Sequence, residues 1–186
     1  MIDKVVTAVV GELNRFLQSK HNILEDKVII SHLVNADGSM AVQEADKIVM
    51  TIINIEAERN KSTTATYQPN KRGNFTKVIP PVEVNIYMLF SAYFTNENYL
   101  EGLKFVSSVI AFFQSRQGVF NEQNTPALSG TLTRLVAEMV SPDFRDVSNV
   151  WNGVGAKYLP SVLYRFKTIP IEHKKPELEI PSIRKI

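Results

Sequence analysis

The run Lys47-Ile48-Val49-Met50-Thr51-Ile52-Ile53-Asn54-Ile55-Glu56 opens a stretch, 47–58, that reads as a strand. Six of these ten residues are β-branched, and such side chains suit an extended, half-covered backbone. From Ile48 to Ile53 apolar residues stand at both odd and even positions. Alternate residues of a strand face opposite ways, so both faces of this one are covered and it is expected inside a sheet. Asn54 and Glu56 are polar groups in that setting. They need partners across the sheet or across a subunit interface.

Upstream, Asn35-Ala36-Asp37-Gly38 marks a turn, and Val28-Ile29-Ile30 a short strand. Residues 2–19 carry Ile2, Val5, Val6, Val9, Leu13, Phe16 and Leu17 at helical spacing, with Asp3, Lys4, Glu12 and Arg15 assigned to the opposite side. Downstream, Pro80-Pro81 precedes a strand over 82–94, with Val82, Val84, Ile86, Met88 and Phe90 on one face and Glu83, Asn85, Tyr87 and Leu89 on the other. Thr95 or Asn96 is placed to cap the next helix. That helix runs to about Gln117, with Leu100, Leu103, Val106, Val109, Ile110 and Phe113 as its buried stripe. Residues 118–130 read as loop. Thr131 to Val140 reads as a strand, with a helix competing through Leu132, Leu135, Val136 and Met139.

Ser141-Pro142-Asp143 reads as a helix start with Ser141 as cap. Phe144, Val147, Val150, Trp151 and Val154 line that helix, and Gly153 and Gly155 end it. A last strand covers 161–172. The order α-β-β-β-α-β-α-β predicts an α/β (α+β) fold: a mixed, largely antiparallel sheet with helices packed on it. The expected organisation is one domain over 1–172, with a basic loop at 59–78, and an extended tail at 173–186. Pro176 and Pro181 keep that tail out of a central sheet.

The chain has 186 residues, which suits a single domain with its own core. With no cysteine there is no disulfide framework, thiolate metal site or cysteine nucleophile. The longest uncharged run is the thirteen residues between Glu83 and Glu97, short of the ~18 needed to span a bilayer. The Met-Ile-Asp-Lys start lacks the basic and apolar regions of a signal peptide, so none is expected.

Catalytic patterns do not assemble. His21, His32 and His173 share no helical or strand face, and there is no phosphate-cradling glycine loop or nucleophile elbow. Asp143 and Asp146 could be a carboxylate pair, but both fall in the first turn of a helix, where the backbone dipole favours negative charge. Trp151, the one tryptophan, is expected to anchor its helix to the sheet. No catalytic residue, metal or cofactor is assigned.

Residues 59–78 stand apart. They hold five basic residues, Arg59, Lys61, Lys71, Arg72 and Lys77, and no acidic one. Without usable periodicity they read as a long exposed loop or a hairpin extending from the sheet. Three uses fit that composition: a solvated loop, an arm docking on an acidic protein surface, or, with Tyr67 and Phe75, a nucleic-acid contact. The modest net charge of +2 weighs against nucleic acid.

Several words occur in a suggestive order. They are the Met-Ile-Asp-Lys-Val-Val start, Ile52-Ile53-Asn54-Ile55-Glu56-Ala57-Glu58-Arg59-Asn60, Pro80-Pro81 through Tyr93, Ser148-Asn149-Val150-Trp151-Asn152-Gly153-Val154-Gly155, and Tyr158-Leu159-Pro160-Ser161-Val162-Leu163-Tyr164-Arg165-Phe166. Together, over about residues 1–172, they resemble the cap, or tail-terminator, family of extracellular contractile injection systems. The resemblance implies a phage tail-terminator-like fold and a structural protein rather than an enzyme. It would close the distal end of the inner tube as a homo-oligomeric, hexameric ring and anchor the last sheath layer, with inner tube and sheath proteins as partners. It implies assembly in the cytoplasm and no membrane insertion. A baseplate or tube-adaptor component, or a small α/β enzyme or nucleotide-binding domain, is the alternative. The segment 59–78 and the tail lie outside the resemblance, so its basic residues are partner-binding candidates on charge alone.

Overall fold

The computed structural model describes residues 1–58, 66–69, 75–78, 82–170 and 179–180, with side-chain surroundings for 1–58 and 82–168. The chain order is α1 (Ile2–His21), β1 (Val28–Ile30), β2 (Lys47–Ala57), β3 (Thr66–Pro69), β4 (Phe75–Val78), β5 (Val84–Tyr93), α2 (Tyr99–Ser115), β6 (Val119–Phe120), a 3-10 turn (Pro126–Leu128), β7 (Leu132–Val140), α3 (Phe144–Val154), β8 (Ser161–Pro170) and β9 (Glu179–Ile180). Six strands form one sheet in the order β1-β2-β5-β8-β7-β6. β1 runs parallel to β2, and the other neighbours are antiparallel. The mixed, largely antiparallel α/β reading therefore holds, and 132–140 is a strand.

Both faces of this sheet are used. Ile48, Met50, Ile86, Met88, Phe90, Tyr164 and Phe166 point to one side and pack with Val5, Val9, Leu13 and Leu17 of α1 and Phe105, Val109, Phe112 and Phe113 of α2. Val49, Leu89 and Leu163 point to the other and pack with Trp151 of α3. The alternation of the strands sorts these two sets.

α1 follows its stripe, with one correction. Glu12 is not on the solvent side. It is buried, paired with Arg15 at 2.8 Å and with Arg116 at 2.7 Å, and Arg116 lies over the rings of Phe112 and Phe120. Asn14 is also buried. Its amide accepts from the Val28 N–H at 2.8 Å and donates to the Val28 carbonyl at 2.9 Å, which ties β1 to the helix.

Two caps differ from expectation. α2 begins at Asn98, not at Thr95 or Asn96, and Asn98 donates its side-chain amide to Asp46 at 2.7 Å. Asp46, at φ +64°, also accepts the Thr95 N–H at 3.0 Å, so a residue distant in sequence holds the helix start. α3 is capped by Asp143, whose carboxylate accepts the Asp146 N–H at 2.8 Å, rather than by Ser141. The stripe of α2 holds at Val109 and Phe113, with Val106 and Ile110 packed against the core, but Leu100 and Leu103 are exposed and Phe105 and Phe112 face the core beside it.

Coverage of β2 on both faces holds for Ile48, Val49 and Met50 and then lapses. β1 flanks only those three residues, and a bulge between Ile52 and Asn54 turns the remainder of the strand. Ile52 and Ile55 are exposed. For the basic segment the hairpin alternative is the one found. β3 pairs antiparallel with β4, Lys77 lies opposite Tyr67, and β9 adds to β4. Arg59, Lys61, Lys71 and Arg72 lie outside the described residues, as does the tail apart from β9.

Candidate interaction surfaces

The α3 side of the sheet divides into two halves. Beneath α3 it is apolar. Beyond α3 it carries a polar ladder across four strands. Glu138 on β7 accepts from Arg165 on β8, Arg165 neighbours Tyr87 on β5, and the Tyr87 hydroxyl donates to Glu56 on β2 at 2.8 Å. One step further along, Lys167 pairs with Glu58 at 3.1 Å, and the Asn85 amide donates to Glu58 at 3.3 Å. Burial and the Glu56 carboxylate together push the Tyr87 hydroxyl above its ordinary pKa. The hydrogen bond to Glu138 raises that of Arg165. Each shift strengthens the form that keeps its bond, so the network is self-satisfied rather than poised to transfer a proton. Glu56 and Asn54 thus find partners within the chain: Asn54 accepts the Ile55 N–H at 2.9 Å.

At the outer end of the apolar half lies an open groove of about 620 Å³. Leu33 and Val34, Ile52 and Ile53 of β2, and Val150, Gly153 and Val154 of α3 line it, with His32, Asn54 and Asn149 among its polar members. Trp151 closes the apolar half from the side. It is 6% exposed and meets Tyr158 edge-on at 5.6 Å, so the anchoring reading holds. Phe144 does not line the helix as expected. It is 93% exposed.

The residues weighed for chemistry are placed apart or in structural roles. His21 bonds Ser108 at 2.9 Å and His32 bonds Asn35 at 3.1 Å, while His173 lies outside the described residues. Asp143 and Asp146 are a cap and its first turn. Among the described residues no cluster of three or more metal-ligating side chains occurs, and no helix is long and apolar enough to cross a membrane. The ladder was only half legible in sequence. Tyr87 and Glu56 announced polar faces on two strands, but the register that joins them to Arg165 and Glu138 is a tertiary fact.

A family model described as the Pvc16 N-terminal domain matches residues 4–185. The chain belongs to that family. The fold of this Pvc16 N-terminal domain is also that of two solved tube-terminating proteins. One is the sheath/tube terminator of an extracellular contractile injection system in its extended state, at 13% identity and TM-score 0.59, covering 100% of this chain and 61% of that one. The other is the tube-terminating cap of the anti-feeding prophage, at 16% identity and TM-score 0.54, covering 96% of this chain and 58% of that one. The chain spans about three fifths of the length of these structures. Comparison with curated proteins returns no match.

Proposed function

We propose that this chain is a structural cap of a contractile injection system, closing the distal end of the inner tube and anchoring the last sheath layer. The observation that carries this reading is the family match over residues 4–185, joined to a shared fold with two tube terminators. The six-stranded sheet supports a structural rather than catalytic role, because its polar ladder is spent on cross-strand bonds. Its copies form a closed ring of six on the tube end, assembled in the cytoplasm, with tube and sheath subunits as neighbours. Such a ring needs a head-to-tail contact whose rotation closes.

Removing the chain from a producing strain tests the cap directly. Particles imaged by electron microscopy are expected to show uncontrolled tube length and a loosened terminal sheath layer. Particles of normal length and intact sheath sink the reading, and labelled chain at the baseplate end replaces it with the adaptor role. Within the cap reading, Arg59, Lys61, Lys71, Arg72 and Lys77 form a docking arm for an acidic tube or sheath surface. Neutralising Lys71, Arg72 and Lys77 leaves the fold intact and weakens capping, most at low salt, where the parent's charges reach furthest. Normal capping by the triple variant at low and high salt removes the arm from the proposal.

A further inference from the structure

Two segments far apart in sequence leave the same end of the main sheet. Ala57, the last residue of β2, stands opposite Val84, the first of β5. Thr168 of β8 lies beside them, and its hydroxyl accepts the Val84 N–H and donates to the Val84 carbonyl, each at 3.1 Å. The root is tied further by the Glu58 N–H, which donates to the Glu83 carbonyl at 2.9 Å, and by Lys167, which reaches Glu58 at 3.1 Å. The basic hairpin and the stretch that follows β8 therefore depart from one place.

They also come together again. β9 adds antiparallel to β4, with Ile180 opposite Phe75 and Glu179 opposite Thr76. The product is a second sheet, β3-β4-β9, separate from the six-stranded one. β9 lies between Pro176 and Pro181 and takes the edge of that sheet, the place such prolines allow.

Register sorts this sheet into two unlike faces, because directly opposed residues and alternate residues share a face. Tyr67, Pro69, Phe75, Lys77 and Ile180 belong to one. Thr66, Gln68, Thr76, Val78 and Glu179 belong to the other. The first is aromatic and apolar with one lysine. The second is mostly polar and takes the acid. β9 thus extends the aromatic face by Ile180 and keeps Glu179 off it. Four-residue strands on their own are marginal, and a sheet of this size persists when its apolar face is covered.

We infer that β9 completes the docking arm, and that the three-stranded arm meets the inner tube protein through the face of Tyr67, Phe75, Lys77 and Ile180. The inference rests on the cap reading and adds the stretch 171–186 to the binding surface. The tube is the partner because closing its end obliges every copy to touch it. Its surface would pair an apolar floor with an acidic rim, since residues 59–78 hold five basic residues and no acidic one. An aromatic centre with charge around it is the common form of a binding interface.

The test uses the full chain and purified inner tubes, with cosedimentation at low salt as the readout. Phe75→Asp and Thr76→Asp add the same charge at neighbouring positions of β4 and differ only in face. Ile180→Asp and Gln68→Asp repeat the comparison on β9 and β3. All four are expected to melt like the parent, because none lies in the main sheet or its two cores. Phe75→Asp and Ile180→Asp are expected to raise the Kd for tubes at least about tenfold, and the other two less than about threefold. Ile180→Val is expected to bind like the parent. Parental binding by Ile180→Asp overturns the part given to β9. Equal weakening by Thr76→Asp and Phe75→Asp leaves charge alone and overturns the face. A parent that binds purified sheath but not tubes overturns the choice of partner, and loss of rings by Ile180→Asp with tube binding kept gives this face to a second copy instead. A parent that binds neither tube nor sheath removes the cap reading itself.

Discussion

The two faces of the main sheet are built on different terms. On the α1/α2 side two helices lie over one continuous apolar core, at whose centre Phe113 meets Tyr164 at 4.2 Å, Phe112 at 5.0 Å, and Phe90 and Phe166 at 5.6 Å each. On the other side one eleven-residue helix, with Trp151 as its buried residue, covers half a face, and a cross-strand ladder occupies the rest. The first face makes the fold. The second carries what remains open to a partner. An apolar face must be closed by the chain itself, whereas a self-paired polar face can stay wet without penalty.

The sharpest way to break this contrast is Phe113→Ala. It should cost about 4–5 kcal/mol by cavity formation and lower the denaturation midpoint of the whole domain. A loss confined to α2 in hydrogen exchange would show the core to be less continuous than its contacts indicate. Trp151→Ala comes next, at about 3 kcal/mol. Here hydrogen exchange should locate the damage mainly in α3, since its contacts belong to the smaller cluster. Equal deprotection of α1 would erase the distinction between the faces.

Tyr87→Phe removes only the hydroxyl given to Glu56 and should cost about 1 kcal/mol in chemical denaturation. A cost matching that of Trp151→Ala would make the ladder a second core. The smallest effect concerns pH. The Thr95 N–H, and after it the Asn98 amide, hold the Asp46 carboxyl below the usual carboxylate range. A group depressed on folding stabilises fully above its unfolded value, near pH 4 by ordinary Asp behaviour, and loses that contribution as pH falls through its folded value. The melting temperatures of parent and Asp46→Ala should therefore differ at pH 7 and converge in acid. A constant difference would assign Asp46 a role independent of its charge.

How much of this was legible in the sequence varied with the kind of signal. The strands at 47–57, 84–93 and 132–140 were readable because alternation and β-branching are local properties. The stripe of α2 was readable only in part. Spacing picked out Val109 and Phe113, but Leu100 and Leu103 obey it as well as Phe105 and Phe112 do, and only the sheet beneath selects between them. Its cap was equally ambiguous among Thr95, Asn96 and Asn98, since the deciding carboxylate is Asp46. The exposed Phe144 looked like an ordinary member of an amphipathic helix. Its exposure depends on which surfaces stay uncovered, and spacing carries no record of that.

Asn54 has a consequence for the open rim of β2. Beyond Met50 the rim of β2 has no neighbouring strand among the described residues, and such rims recruit any extended chain they meet. The side-chain oxygen of Asn54 accepts from the Ile55 amide, so that donor is already engaged. The bulge at Ile53 bends the same stretch out of register with a straight visitor. Both features guard this rim against edge-to-edge pairing with another strand, and Asn54→Val should raise aggregation of the purified chain as read by light scattering.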